Sequence, residues 1–390
     1  ALRAALGAQA DIRTASQVPN PTLSTGVGQY SPSIGLGAGG PLDKQVDWLA
    51  RIDQPIERGD KRGLRTETAE QSWRAARWNA ADMLRQQQLA LAQAWIDLWG
   101  AQERLVLQQS LIDLFRRTLD GAQRRLKAGD IASADVARIE LDLRRAEGDR
   151  VVAEGELARA RNVVAGLLAM EGSAVGVKAI APWPAATDAA PQALAPADAG
   201  RPDLEAARAQ VAAADAQSRL ARSQQTRDVA VGLQVERYAP PSGYGWLFGV
   251  YLSVPLFVNH RFEGEIARAE ADRETAIATR DRTEQQARAD QQRLIDARAS
   301  ARIRRETIER DALPLAQRVA ANADLAYRKG AGTVLELLDA LRQLRALQLE
   351  ALAARLDQDR ADAASRAAML TAAAATDPVF GESLQLRPNP

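Results

Sequence analysis

The chain has 390 residues, 46% apolar yet only 4% aromatic, with 51 basic and 50 acidic side chains and a net charge of +1. That balance gives no electrostatic case for nucleic acid. The absence of Cys removes disulfides, thiol catalysis and thiolate metal sites, and a single His leaves little scope for zinc or imidazole chemistry.

The apolar quota is mostly Ala and Leu, in periodic runs with Arg, Gln and Glu, which points to long packed helices rather than a compact α/β enzyme. Ala1 opens the chain without an initiator Met, so the sequence does not report a compartment by itself, and a lipid-anchoring Cys, if the full protein has one, would lie upstream. A short first helix is expected up to about Gln17. A first strand follows over about 22–30, where Leu23 and Val27 share a face with Thr25 and Gln29. Residues 31–44, rich in Gly, Pro and Ser, form a hairpin loop. The second strand, about 45–56, alternates Val46, Trp48, Ala50, Ile52, Gln54 and Ile56 against Asp47, Leu49, Arg51 and Asp53.

From about Gly63 to Lys127 the pattern changes period. Leu84, Leu91, Leu98, Leu105, Ile112, Leu119 and Leu126 recur every seven residues, a sustained heptad seam. About 65 residues at 1.5 Å each make a rod of roughly 100 Å. Gly129 supplies a left-handed stop and Ser133 is expected to cap the next helix. That return helix runs from Ser133 to about Ala169 on Val136, Ile139, Leu143, Ala146, Ala153, Leu157, Ala160, Val164 and Leu167, interrupted at Arg150. Trp73, Trp78, Trp95 and Trp99 are expected to pack at helix seams.

The stretch 171–200 is rich in Ala and Pro (Pro182, Pro184, Pro191, Pro196) and reads as a linker. Beyond it the plan repeats. Ile52–Ile56 with its Pro55 returns as Leu252–Leu256 with Pro255, at an offset of 200. Leu126 to Asp135 is answered by Tyr327 to Glu336, at an offset of 201. The expected division is a first repeat at 1–180, a linker at 181–200, a second repeat at 201–371 and a tail at 372–390.

The second repeat carries strands at about 228–237 and 244–255. In the latter Tyr244, Trp246, Phe248, Val250, Leu252 and Val254 oppose Gly243, Gly245, Leu247, Gly249, Tyr251 and Ser253. Tyr238 to His260 carries no Lys, Arg, Asp or Glu, but its Gly and Pro content and its period of two reject a membrane-spanning helix. A more charged long helix, about Glu263 to Arg328, should kink or break at Pro314. Gly330 marks the turn, Thr333 and Glu336 form a capping box, and the return helix runs from Val334 to about Leu370.

Each strand has the length of a membrane-spanning β-strand. Four cannot close on themselves, and open edges are not tolerated in lipid, so several copies must pool strands; three copies give twelve. Trp48, Tyr244, Trp246, Phe248, Val250 and Leu252 are the expected lipid-facing set, with Tyr251 added to Trp48, Trp246 and Tyr244 as an interfacial belt. Gly26-Val27-Gly28 is no nucleotide loop, because it lies in a strand and lacks the third Gly. No pair of acids sits on a loop at a plausible cleft, which argues against a carboxylate hydrolase.

The repeated halves, the Pro-marked corners and the Gly-Ser/Thr tips resemble the TolC-like outer-membrane efflux channels over nearly the whole chain. Gln54 to Arg62, with Val254-Pro255-Leu256-Phe257, is most similar to the CzcC-type branch serving heavy-metal efflux pumps. The resemblance implies a mainly α protomer with a membrane β part. Its homotrimer would form a twelve-stranded barrel on a helical tunnel, in the outer membrane of a Gram-negative bacterium with a long periplasmic extension. It implies no enzyme and no cofactor. The partners would be a periplasmic adaptor and, through it, an inner-membrane RND-type pump.

The cargo would be divalent heavy-metal cations, with multidrug or protein export as the alternative within the family. A periplasmic coiled-coil adaptor is the alternative outside it. The family docks its adaptor at tips that here are Arg124, Leu126, Gly129 and Ser133, with Arg328, Gly330, Thr333 and Glu336. Asp130, Asp135, Glu336, Asp339 and Arg342 are candidates for rings at a pore constriction. His260 reads as a surface residue near the end of the barrel.

Overall fold

The computed structural model describes residues 2–28, 32, 35–38, 40, 44–180, 200–238 and 245–369. The linker at 181–199, the tail from 370 and Tyr244 lie outside the described residues. In chain order the elements are α1 (Leu2–Ser16), β1 (Thr22–Gly28), β2 (Asp47–Ile56), α2 (Lys61–Lys127) and α3 (Ser133–Leu167). Then come α4 (Pro202–Ser223), β3 (Val229–Tyr238), β4 (Gly245–Ser253), α5 (Glu263–Glu306), α6 (Leu313–Arg328) and α7 (Val334–Met369). A 3-10 turn, Glu171–Gly176, follows α3.

The chain divides into two compact units, each drawing on both halves of the sequence: 1–81 with 202–285, and 82–201 with 286–374. In the first, β1 to β4 form one antiparallel sheet in the order β1-β2-β3-β4. Its centre is the pairing of β2 with β3, which brings Trp48 opposite Arg237 and Ile56 opposite Val229. Strand alternation is the cause of the sheet's two-sidedness. Registered partners put Leu23, Val27, Ile52, Val231, Leu233, Phe248, Val250 and Leu252 on one face, and Ser24, Arg51, Asp53, Gln234, Glu236 and Tyr251 on the other. Helix α4 buries Ala206, Ala209, Ala213, Ala216 and Leu220, a three-and-four spacing that makes one apolar stripe.

The second unit contains the heptad seam. Leu98 and Ile112 are fully buried, whereas Leu84, at the outer end of the series, is exposed. On α3 the expected positions Ile139, Leu143, Ala146, Ala153, Leu157 and Val164 are buried, and Leu167 is exposed. Arg150, the break in that series, pairs with Glu154. Trp99 is buried and Trp95 packs against the same cluster. Small residues let backbones approach closely: a Cβ on Gly100 of α2 would collide with the methyls of Leu356 on α7.

The break expected at Pro314 is resolved by one π-helical turn over Thr307–Ala312. Leu313 N–H reaches back to Ile308, a wider step than the α-helical one. Pro314 thereby falls in the first turn of α6, where its missing N–H costs nothing.

Candidate functional site

Two places carry the candidate residues: the helical turns between α2 and α3 and between α6 and α7, and the two-faced sheet. The two turns are the same structure built twice. In the first, Ala128 N–H donates to Arg124 O at 3.1 Å, Gly129 to Leu126 O at 3.0 Å and Asp130 to Arg125 O at 2.9 Å. In the second, Lys329 donates to Leu325 O at 3.0 Å, Gly330 to Tyr327 O at 3.1 Å and Ala331 to Ala326 O at 2.9 Å. Gly129 and Gly330 have φ of 84° and 74°, left-handed values that a Cβ would penalise.

Entry into the next helix differs. Thr333 N–H donates to Glu336 Oε2 at 2.9 Å and Glu336 N–H donates to Thr333 Oγ1 at 3.2 Å, a complete capping box. Ser133 does not cap: it is already the first helical residue, the cap position is Ala132, and no side-chain cap bond is made. At the 201 offset Ala132 stands opposite Thr333, and an Ala has no oxygen to offer. Asp135, opposite Glu336, turns instead to Arg138 at 3.1 Å.

The turns are carried on a shared core of Ile112, Phe115, Ile139, Leu143, Tyr327, Leu337, Leu338 and Leu341. Across it Arg125 donates to the Tyr327 carbonyl at 2.9 Å and lies 4.8 Å from its ring centroid. Arg124 and Asp130 are exposed and Leu126 is half-buried. Arg328 pairs with Asp324 at 2.6 Å, and Asp339 accepts from Gln343 at 2.9 Å. Arg342 is held by buried Asp142 of α3 at 2.7 Å. Sequence reasoning missed this pair and the Arg125–Tyr327 contact, since neither leaves a local signature. Nearby, Arg116 and Arg144 hold the Glu147 carboxyl below the usual Glu range by hydrogen bonding.

On the sheet, Trp246, Phe248, Val250 and Leu252 are all more than half exposed and share a face with half-buried Trp48. Tyr251, expected in the same belt, projects from the opposite, polar face, as the period of two requires. Its ring lies under the Arg51 guanidinium, 4.5 Å from centroid to Cζ. His260 is exposed and meets Phe262 edge-on at 5.4 Å. Among the described residues no three His, Asp or Glu side chains gather as a metal site, and no helix is long and apolar enough to cross a membrane.

Residues 193–369 match the family described as outer membrane efflux protein. The chain matches this family over 177 of its 390 residues, from ahead of α4 to the end of α7. It is homologous to the cobalt-zinc-cadmium resistance protein CzcC of Cupriavidus metallidurans, with 26% identity over 343 residues, covering 85% of this chain and 77% of that one. The nickel and cobalt resistance protein CnrC of the same species is 28% identical over 260 residues, covering 65% and 59%.

The chain also superposes on the outer membrane protein VceC of Vibrio cholerae with a TM-score of 0.78, covering 95% of this chain and 92% of that one at 19% identity. The fold, long helices with one small antiparallel sheet, is therefore that of the TolC-family structures. The family is one of efflux proteins of the outer membrane, not of enzymes.

Proposed function

We propose that three copies of this chain pool their strands into a twelve-stranded barrel in the outer membrane of a Gram-negative bacterium. The assembly conducts divalent heavy-metal cations passively, receiving them from a periplasmic adaptor and an inner-membrane RND-type pump. The observation that carries this is the sheet: a broad exposed apolar face, with two outer strands, β1 and β4, each paired on one side only among the described residues. Such edges are satisfied in lipid only by closure, and closure needs further strands. The relatives named for cobalt, zinc, cadmium and nickel resistance support the cargo. The paired turns at Gly129 and Gly330 offer the adaptor a matching pair of exposed tips.

The test is a deletion strain complemented with the chain, challenged with a metal panel and a drug panel, alongside membrane fractionation. Loss of cobalt, zinc or cadmium resistance alone, with a trimer in the outer-membrane fraction, is expected. Drug sensitivity without metal sensitivity would assign the chain to multidrug export, and a soluble monomer would favour the adaptor. Gly330→Pro, which cannot hold a φ of 74°, should abolish resistance while trimers remain in the membrane. Normal resistance in that variant would remove the tip from the docking role.

A further inference from the structure

The polar face of the sheet holds one cation among the described strand residues, Arg51, and holds it down. Its Nη2 and Nε lie 2.7 and 2.9 Å from Asp53 Oδ1, two residues along the same strand face. The Tyr251 ring of β4 receives its guanidinium from the other side at 4.5 Å. Glycines make this possible. Gly232, which stands between Asp53 and Tyr251 in the strand register, is where the pair lies flat: a Cβ there would strike Asp53 Oδ1 and come 3.1 Å from Arg51 Nε. A Cβ on Gly249 would come within 2.8 Å of the Tyr251 ring. A clamp of one carboxylate and one aromatic face, laid over glycines, neutralises and immobilises an otherwise long and mobile cation.

The acids on this face are not equally restrained. Asp53 is committed to Arg51, and Asp47 is buried at the start of β2. Glu236 is half-buried and, among the described residues, accepts only from the neutral amide of Gln234, at 3.3 Å. With Arg51 and Asp53 cancelling, Glu236 is the charge left over.

We infer that, in the assembled barrel, this face lines the exit and that Asp53 and Tyr251 act as positioning residues. They mask Arg51 so that Glu236 sets a cation preference for the barrel wall. This rests on the barrel reading above and deepens it by naming what sets the charge selectivity of its wall. Three copies would place three unmasked carboxylates and three masked guanidiniums around one lumen, an arrangement that suits a cationic cargo and disfavours small anions. Releasing Arg51 would put three positive charges into the same path.

The full chain is reconstituted in planar bilayers and its reversal potential is measured in a potassium chloride gradient. Salt is kept low, on the order of 0.01 to 0.1 M, so that wall charges act over roughly 10–30 Å. Wild type should prefer potassium. Asp53→Asn with Tyr251→Leu should move the permeability ratio towards chloride by about twofold or more, Glu236→Gln should move it the same way, and Arg51→Gln should move it towards potassium. Arg51→Gln frees the Asp53 carboxylate that the pair had cancelled, so it tests whether this pair sits on the conducting wall even if the double variant assembles poorly. Reversal potentials that stay at the wild-type value in Arg51→Gln and Glu236→Gln overturn the inference while leaving the channel intact. A wild-type chain that conducts nothing overturns the barrel reading and this inference with it.

Discussion

Arg342 of α7 and Asp142 of α3 form an ion pair at 2.7 Å, 200 residues apart in sequence, whose carboxylate end is almost completely buried. Arg145 stands further off, at 3.7 Å from the other carboxylate oxygen. Removing the guanidinium leaves a buried charge with weakened compensation, which is the costly way to break such a pair. Arg342→Ala should therefore destabilise the protein by about 1–3 kcal/mol, discounted because Arg342 itself is half exposed. Asp142→Asn with Arg342→Gln should recover much of that loss. Thermal unfolding in detergent checks both. A side chain anchored in this way is better placed to fix α3 against α7 than to face a pore, so conductance should change less than stability.

The two helix entries separate cap chemistry from turn chemistry. Thr333→Ala removes a made cap bond and should cost about 1 kcal/mol, whereas Ser133→Ala removes none and should stay within a few tenths. Ala132→Ser should be stabilising, because it supplies the missing oxygen at the cap position and Asp135 already stands three residues on. Denaturant midpoints for the three variants, ranked in that order, are the check.

Much of the fold is legible because it is written in short periods. Alternation places the four strands, a heptad and three-four spacing places the helices, and Gly129 and Gly330 mark the turns. What was misread has local physical reasons. Ser133 looks like a cap residue, but the repeat register puts Ala132 at that position. Tyr251 is an aromatic on a membrane-length strand, yet the same period that selects Trp246 and Phe248 sends it to the other face.

Long-range side-chain contacts are a different matter. Asp142–Arg342 and Arg51–Tyr251 join elements far apart in sequence, and in a chain with 101 charged side chains no spacing singles out a partner.

Close helix packing gives a third prediction. Gly100 faces the methyls of Leu356, which is itself buried. Gly100→Val should cost about 1–3 kcal/mol by overpacking. Leu356→Ala alone should cost about 2–4 kcal/mol through the cavity it opens. The double variant should lose less than the sum, since each change relieves the other. Additive losses in a double-mutant cycle would show that the two side chains do not share this space.

Asp359 of α7 supplies a pH dependence. Burial pushes its carboxyl above the usual Asp range, against the pull of Arg355 and Arg305 and with help from neighbouring Asp362. The facing groups have other partners: Arg355 lies over Trp99, Arg305 bonds Glu309, Asp362 meets Arg298 at 2.7 Å, and Arg366, which also pulls the carboxyl down, donates to the Asp362 carbonyl at 3.4 Å. A raised acid pKa means that the folded state holds its proton more tightly than the unfolded chain. Stability from this group is present at low pH and falls as pH rises from the ordinary Asp range through the raised value. Asp359→Asn should remove that slope and be neutral or stabilising at pH 7. An unchanged pH–stability profile in the variant would mean that Asp359 titrates normally.

The corner where β2 enters α2 gives the last prediction. Lys61 is buried, and its Nζ donates to the Thr226 carbonyl at 2.9 Å and pairs with Asp228 at 2.8 Å. The same Asp228 oxygen accepts from the Arg58 backbone N–H at 2.9 Å, so one carboxylate ties the end of β2 to the start of β3. Gly59, at φ 75°, keeps the chain close to Thr226, where a Cβ would come within 2.8 Å of its side chain. Lys61→Met preserves the apolar stem and removes only the charge and its donors. It leaves the Thr226 carbonyl without this donor and the part-exposed Asp228 carboxylate with only the Arg58 N–H of the two, a loss of about 1–2 kcal/mol after solvent screening. Lys61→Arg should not restore it, because a planar fork cannot replace a compact ammonium aimed at two oxygens in different directions. Thermal unfolding of the purified protein, with sheet and helix signals followed separately, should show the sheet signal lost first in Lys61→Met. Wild-type stability in that variant would mean that the corner is held by packing and not by this ammonium.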